Sequence, residues 1–202
     1  MRETLITPDP ILELPDEERY AAAVHGKVRP MSGLLLRALA DGLAKLAVRG
    51  VLAPSLANMG IEQQVARLIR DVLRDADETR WLSLNGLFRP LAEAAPEAFI
   101  GAIEESLRSS NAPVSQLIKE TRNTVFGGRC WHADLLWPLE VLAWSPKYLA
   151  RVCLILANLT KVPTESTWSN SPFKTLVDIF RTWLPQTAAT TKQRLQTLDT
   201  II

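Results

Sequence analysis

The sequence has few of the residues on which disulfide frameworks, metal sites and long-range electrostatic fields depend. Its 202 residues include two cysteines and two histidines, and 23 basic and 22 acidic side chains leave a formal net charge of +1. Two cysteines form one disulfide at most, and a near-neutral chain has no field that would gather nucleic acid. Nucleic acid is therefore not favoured as a partner, and the cysteine usage fits a reducing compartment.

Long apolar runs are also missing. A membrane-spanning helix needs about 18 consecutive apolar residues, and even residues 149–159 form a shorter run that contains Arg151. Residues 1–10 carry acidic side chains and prolines where a secretory signal has a basic region and an apolar run. We predict a cytoplasmic protein with no membrane partner.

The motifs of common enzymes and nucleotide-binding proteins do not occur. The chain has no glycine-rich phosphate loop ending in Lys-Ser/Thr, no Gly-x-Gly-x-x-Gly, no His-Glu-x-x-His and no nucleophile elbow. We predict that the protein is not an enzyme and has no catalytic residue, cofactor or metal ligand.

One patch keeps an alternative open. Cys130-Trp131-His132 follows Gly127-Gly128-Arg129, and a thiolate beside a histidine can act as a nucleophile, while Cys-x-His can supply half of a zinc site. No second pair exists, since only Cys153 and the distant His25 remain. We favour a glycine-containing turn into a helix, with a small thiol-dependent enzyme or metal-binding protein as the alternative.

Apolar residues at helical spacing are abundant. They recur along most of the chain, and no run alternates as a half-buried strand does, so we predict an all-α fold of stacked helical hairpins, either HEAT-like (an α-solenoid) or an irregular bundle. The predicted buried stripes are Leu36, Leu39, Leu43 and Leu46; Ile61, Val65, Leu68, Ile69 and Val72; Phe99, Ile100, Ile103 and Leu107; Leu135, Leu136, Leu139, Leu142 and Ala143; Leu149, Val152, Cys153 and Leu156; and Phe173, Leu176, Val177 and Phe180.

Proline and glycine suggest the domain organisation. We predict an extended N-terminal segment at 1–15, which contains three prolines, an N-terminal helical lobe at 16–110, a turn-rich connector at 111–130 and a C-terminal helical lobe at 131–202. One continuous helical domain is the alternative. The last helix reaches Ile202 without a glycine or polar cap, which indicates a fragment of a larger protein.

Three tryptophans recur at spacings of six and seven residues, at Trp131, Trp137 and Trp144. This spacing places them near one side of a helix. No basic residues interleave with them, as a surface that stacks nucleic-acid bases would require. We therefore predict that they fill space between packed helices.

Residues 136–149 read Leu-Trp-Pro-Leu-Glu-Val-Leu-Ala-Trp-Ser-Pro-Lys-Tyr-Leu, and this run resembles a segment of very large bacterial multidomain proteins of the STAND or NACHT-like NTPase type, a class associated with antiphage defence. Residues 92–99, 169–172 and 179–187 resemble the same proteins, and the resemblance covers most of residues 10–202. It implies a helical-repeat region that senses, scaffolds or holds the NTPase inactive. The chain has no P-loop and no effector domain, so the resemblance implies an excised segment or a degenerate remnant, and no catalytic residue carries over.

The leading hypothesis is a non-catalytic helical interaction, scaffold or sensor module that binds protein, either other domains of a parent polypeptide or an external protein. Buried aromatic anchors and a polar rim are typical of such interfaces. The candidate anchors are Trp168 and Trp183, and the candidate rim residues are Asn170, Arg181 and Gln186.

Other roles for these residues stay open. Asn170 or Ser171 could cap the helix that Pro172 begins, and Trp183 could belong to the core. An RNA-binding helical repeat is a third hypothesis, which would require the charges to be segregated in space. The sequence does not indicate an oligomeric state.

Overall fold

The computed structural model describes residues 1–56, 58–120, 130–164 and 168–201. Over these ranges the regular elements are helices and no strand occurs, which confirms the all-α prediction. The α-helices are α1 Arg2–Ile6, α2 Gly33–Arg49, α3 Ile61–Leu73, α4 Glu78–Ser83, α5 Phe88–Ala94, α6 Pro96–Arg108, α7 Gln116–Lys119, α8 Ala133–Ala143, α9 Pro146–Leu159, α10 Pro172–Ile179 and α11 Thr191–Ile201. None of these helices within the described ranges has both the length and the apolar character needed to cross a membrane.

The chain divides into two compact units, unit 1 at Met1–Ala102 and unit 2 at Ile103–Ile202. The division falls within α6, before the connector expected at 111–130. The first part of that connector is helical, because a 3₁₀ turn at Pro113–Ser115 leads directly into α7. The remainder at 121–129, including the expected Gly127-Gly128 turn, lies outside the described residues.

Three aromatic side chains form the centre of unit 1. Trp81 of α4, Phe88 of α5 and Phe99 of α6 are fully buried. The ring centroids of Trp81 and Phe88 lie 5.8 Å apart and those of Phe88 and Phe99 lie 6.0 Å apart, with tilted planes. Tilted rings at these distances attract each other beyond the free energy of burying their surface.

Helix α2 packs on α3 and α5. Leu36 and Leu43 are buried as predicted, whereas Leu39 is half-buried and Leu46 is exposed, so the predicted stripe is wrong at its last position. The buried face is completed by three small residues, Ala40, Ala44 and Ala47. The sequence pattern favoured leucines over alanines, although small side chains are what allow two helix axes to approach closely.

The prediction of an extended segment at 1–15 is wrong. Residues 2–6 form α1, which buries Leu5 and packs on α3, and Pro10 opens a 3₁₀ turn. The carboxylate of Asp9 accepts a hydrogen bond from the backbone N–H of Ile11 at 3.2 Å and pairs with Nε of Arg29 at 2.9 Å. The prolines therefore begin and flank short turns that side-chain contacts hold in place.

In unit 2, α9 packs against α8, α10 and α11. Pro146 opens α9 at a position where its missing N–H costs no hydrogen bond, and Pro138 is buried inside α8. Arg151 of α9 binds the Glu104 carboxylate through two parallel hydrogen bonds of 2.8 and 2.9 Å, which ties α9 to the C-terminal half of α6. The core is aliphatic and includes the predicted residues Leu135, Leu136, Leu139, Leu149, Val152, Cys153 and Leu156.

Helix α10 is rotated relative to the prediction. Phe173 and Val177 were expected to be buried but are exposed, and the buried face carries Thr175 and Ile179 instead. The hydroxyl of Thr175 donates a 2.9 Å hydrogen bond to the carboxylate of Glu140 on α8. The buried face of α10 therefore includes a polar contact with α8, and an apolar pattern cannot reveal such a contact.

Candidate protein-interaction surface

The six tryptophans fall into two groups. Trp81 and Trp131 are buried. The other four are exposed to 54% at Trp137, 57% at Trp144, 42% at Trp168 and 80% at Trp183. The prediction that Trp137 and Trp144 fill the core is therefore wrong.

Two of the exposed indoles lie on one side of α8. Trp137, Val141 and Trp144 follow the spacing i, i+4, i+7, which places them on one helix face, and Val141 is 64% exposed. We call these three residues the tryptophan face. The opposite side of α8 is fully buried at Leu135, Leu136 and Leu139, so packing within unit 2 determines which way the tryptophan face points.

The sequence conceals the tryptophan face because α8 is apolar on nearly every side. Between Ala133 and Ala143 the only charged residues are Asp134 and Glu140. A helix that is apolar all round is ordinarily buried all round.

The segment after α10 carries two further exposed apolar residues, Trp183 and Leu184. It is held at two points. The N–H of Gln186 donates to the carbonyl of Asp178 at 3.3 Å, and the N–H of Ala188 donates to the carbonyl of Trp144 at 2.9 Å. The second bond satisfies a carbonyl at the C-terminal end of α8, which has no partner within its own helix, and it brings this segment to the Trp144 end of the tryptophan face.

The expected polar rim is partly engaged within the chain. Nη2 of Arg181 lies 2.5 Å from a carboxylate oxygen of Asp178, and Nζ of Lys174 lies 2.5 Å from the same carboxylate. The Gln186 side chain is exposed. Lys174 and Arg181 share one carboxylate, so this cluster keeps a net positive charge beside the exposed Trp183 and Leu184.

Asn170 has a structural role through its backbone. Its carbonyl oxygen lies 2.6 Å from Nε2 of the buried His132, which joins the segment before α10 to the start of α8. Ser171 caps α10 by accepting from the N–H of Lys174 at 3.2 Å, so the cap suggested for Asn170 or Ser171 falls on Ser171. Trp168 lies two residues before Asn170 and is part of the same segment.

The geometry around Cys130 does not suit a catalytic thiolate. Its Sγ lies 3.5 Å from Nε2 of His132, but a carbonyl oxygen only accepts, so the Nε2 that bonds to Asn170 carries a hydrogen. That nitrogen cannot also accept the thiol proton while the ring is neutral. Burial raises the pKa of the Cys130 thiol, and burial lowers the pKa of His132, and both shifts oppose a thiolate–imidazolium pair.

No group of three potential metal-ligating side chains from His, Cys, Asp and Glu occurs in the described ranges. The second cysteine, Cys153, is fully buried among apolar residues of α9, and burial raises the pKa of its thiol to about 12. Such a thiol is a packing residue at neutral pH.

The fold and this surface together define an all-α protein whose second unit exposes aromatic rings to solvent. Comparisons with family models, with curated proteins and with solved structures found no match to the chain.

Proposed function

We propose that this chain is a non-catalytic helical module that binds protein through the tryptophan face and through Trp183 and Leu184 of the segment after α10. The observation that carries the proposal is the exposure of Trp137, Trp144 and Trp183 on helices and turns that are otherwise well packed. Tryptophan is the residue most enriched among the side chains that dominate the energy of protein interfaces. Apolar surface of this kind on a folded domain marks a binding site.

The rings are held by a rigid support. The tryptophan face is backed by the buried side of α8, and the carbonyl of Trp144 is bonded to Ala188 at 2.9 Å. Helix α9, which lies against α8, is itself tied to Glu104 by Arg151. A surface that is ordered before binding loses less conformational entropy when a partner arrives.

The resemblance to STAND or NACHT-like NTPase proteins supports a wider role of the same class. On that basis we propose a cytoplasmic sensor or scaffold, HEAT-like in its helix stacking, with either another domain of a parent protein or an external protein as its partner. No described residue is assigned a catalytic role in this proposal. The thiol alternative at Cys130 has less support, because the hydrogen bond of His132 to Asn170 and the burial of both groups oppose it.

An RNA-binding role also has less support. Arg181, the cation closest in sequence to Trp183, and Lys174 both lie against the Asp178 carboxylate. A surface that binds single-stranded nucleic acid combines stacking rings with a positively charged groove along the backbone. The rings are present here, but Asp178 offsets one of these two positive charges, and α8 itself carries only the acidic residues Asp134 and Glu140.

Site-specific photo-crosslinking in cells of the source organism tests the proposal. A photoreactive phenylalanine analogue is placed at Val141 or at Leu184, which leaves all three indoles intact, and at the exposed Lys192 of α11 as a matched control in the same unit. We expect protein adducts at the first two positions that are absent at the control position, identified by mass spectrometry after purification of the tagged chain.

Two outcomes of this experiment would contradict the proposal. Adducts of equal yield at all three positions, or no protein adduct at Val141 and Leu184, would contradict a protein-binding role for this surface. Adducts with RNA at Val141 or Leu184, detected by nuclease-sensitive mobility, would favour the RNA-binding alternative instead.

A further inference from the structure

Two copies of the tryptophan face match each other when their α8 helices run in opposite directions. The two tryptophans lie seven residues apart, with Val141 near the midpoint. If two copies of α8 are placed side by side in opposite directions about a two-fold axis beside Val141, Trp137 of each copy lies opposite Trp144 of the other. A two-fold interface requires this reciprocal matching, in which residue i meets j and j meets i.

The charges at the two ends of the helix match the same arrangement. Asp134 lies in the first turn of α8, and Lys147 lies just after its C-terminal end. In the antiparallel pair, the acidic start of one helix lies beside the basic end of the other. Opposite charges at both ends favour this direction over a parallel pairing, which would bring like charges together.

The one charged residue at the centre of α8 is turned aside. Glu140 lies next to Val141 in sequence, but its carboxylate accepts the hydrogen bond from Thr175 on α10. The side chain is thereby held toward α10, along the edge of the tryptophan face. The face itself consists of two indoles and a valine, with no like charges to repel across the axis.

The exposed area is that of a modest interface. With ~250 Å² for a fully exposed indole side chain, Trp137 and Trp144 leave roughly 280 Å² of ring in solvent, and Trp183 adds roughly 200 Å². Stable interfaces bury about 800 Å² from each partner. The three rings account for somewhat more than half of that value, so the interface is smaller than that of a standard stable complex.

From the spacing, the end charges and the area, we propose that the tryptophan face binds the same face of a second copy of this chain, with the two α8 helices antiparallel. This inference rests on the proposed function and specifies its partner. Trp137 stacks against Trp144 of the second copy on either side of the axis, and the two Val141 side chains meet at the centre.

Sedimentation equilibrium of the purified full chain, from about 1 to 200 μM, tests whether the dimer forms. We expect the mass to rise from monomer toward dimer over this range. Val141→Glu places two like charges at the axis and should weaken association at least about tenfold, as should Val141→Lys. An equimolar mixture of these two variants should recover dimer, because the opposite charges then face each other.

Disulfide trapping tests the direction of the helices, with Cys130→Ser in every variant. Val141→Cys should form a disulfide-linked dimer on oxidation. Trp137→Cys and Trp144→Cys should form no linked dimer when each variant is oxidised alone. In the antiparallel pair, the two copies of the same residue lie roughly 10 Å apart along the helix, which is beyond the reach of a disulfide. Mixed together, the two variants should form the linked heterodimer, while Lys192→Cys, the control, should give none.

A chain that stays monomeric at 200 μM, or a dimer that Val141→Glu and Val141→Lys leave intact, overturns this inference. Disulfide formation by Trp137→Cys alone overturns the antiparallel arrangement. Circular dichroism of each variant shows that the fold is retained. If the chain is monomeric and the cellular crosslinks at Val141 join it to a different protein, the second-copy inference fails while the proposed protein-binding function stands.

Discussion

Units 1 and 2 use tryptophan in opposite ways. In unit 1, Trp81 is fully buried and packs against Phe88 at the centre of an aromatic core, and among the described Phe, Tyr and Trp residues of this unit Tyr20 is the one that is exposed. In unit 2 the core is mostly aliphatic, Trp131 is its one buried indole, and four tryptophans are exposed. Tryptophan therefore stabilises the core of unit 1 and lies mainly on the solvent-exposed surface of unit 2.

This difference separates stability from recognition. A buried indole contributes through the apolar area that folding removes from water, and that contribution is already complete in the isolated molecule. An exposed indole contributes little until a partner covers it. The interior of unit 2 is filled without the indoles of the tryptophan face, and these are available for binding as a result.

The largest expected effect is on the free energy of unfolding. Trp81→Ala removes a fully buried ring from the core of unit 1 and should cost about 3–5 kcal/mol. Trp144→Ala removes a ring that is more than half exposed and should cost less than about 1 kcal/mol, while weakening self-association. Urea unfolding monitored by circular dichroism at about 1 μM, where the chain is expected to be monomeric, compares the two.

Trp81→Phe is the matched control. Nε1 of Trp81 has no hydrogen-bond acceptor among the described residues, so phenylalanine should keep most of the burial and lose no hydrogen bond. We expect a cost well below that of Trp81→Ala. If Trp144→Ala were as destabilising as Trp81→Ala, the division between a structural and a recognition role for tryptophan would be wrong.

Helical periodicity was sufficient to predict the fold class and part of the core, but Trp81 and Phe88 at the centre of unit 1 lie in no predicted stripe. Amphipathic helices such as α3, with Val65, Ile69 and Val72 buried, were predicted correctly because their polar faces are distinct. Errors occurred where packing rather than periodicity determined the orientation. In α10 the buried face carries Thr175, which donates a hydrogen bond to Glu140, while Phe173 and Val177 of the predicted stripe are exposed.

The candidate surface was predictable only in part. Trp168 and Trp183 were proposed as anchors, and both are exposed; whether they bind a partner stays a prediction. Trp137 and Trp144 were missed because nearly every position of α8 is apolar, so that no polar side indicated which face meets solvent. Only the packing of α9 and α10 determines that choice.

The next effect concerns the reactivity of the two cysteines of unit 2. With a pKa of about 12 against 9.0 for a free thiol, Cys153 at pH 8 should hold roughly a thousandfold less thiolate and should not react with iodoacetamide in the folded chain. Cys130, whose pKa is also raised, should react faster than Cys153 but more slowly than glutathione. Peptide mass spectrometry over time measures both rates, with urea-unfolded chain as the control. Rapid alkylation of Cys130 would instead revive the thiol-enzyme alternative.

A smaller effect concerns how the stability of unit 2 depends on pH. The pKa of His132 is lowered by burial, so as pH falls through about 6.5 the unfolded chain takes up a proton on this residue before the folded chain does. The stability of unit 2 should therefore be fully present above this pH and should decrease below it. His132→Gln, which keeps a donor for the Asn170 carbonyl, should flatten the urea midpoint between pH 7 and pH 5.5. An unchanged pH profile in this variant would show that other groups cause the decrease.

The smallest effect is at the joint between α8 and α10. Burial raises the pKa of Glu140, while the hydrogen bond from Thr175 acts in the opposite direction. A raised pKa means that the carboxylate form opposes folding once the pH exceeds the value in the unfolded chain. Glu140→Gln keeps an acceptor for Thr175 without the charge, so it should raise the free energy of unfolding at pH 7 by up to about 1 kcal/mol, with the gain shrinking toward pH 4. Glu105→Gln, at an exposed position, is the control and should change the free energy of unfolding little. A loss of stability in Glu140→Gln at pH 7 would mean that the hydrogen bond to the charged carboxylate holds α10 in place.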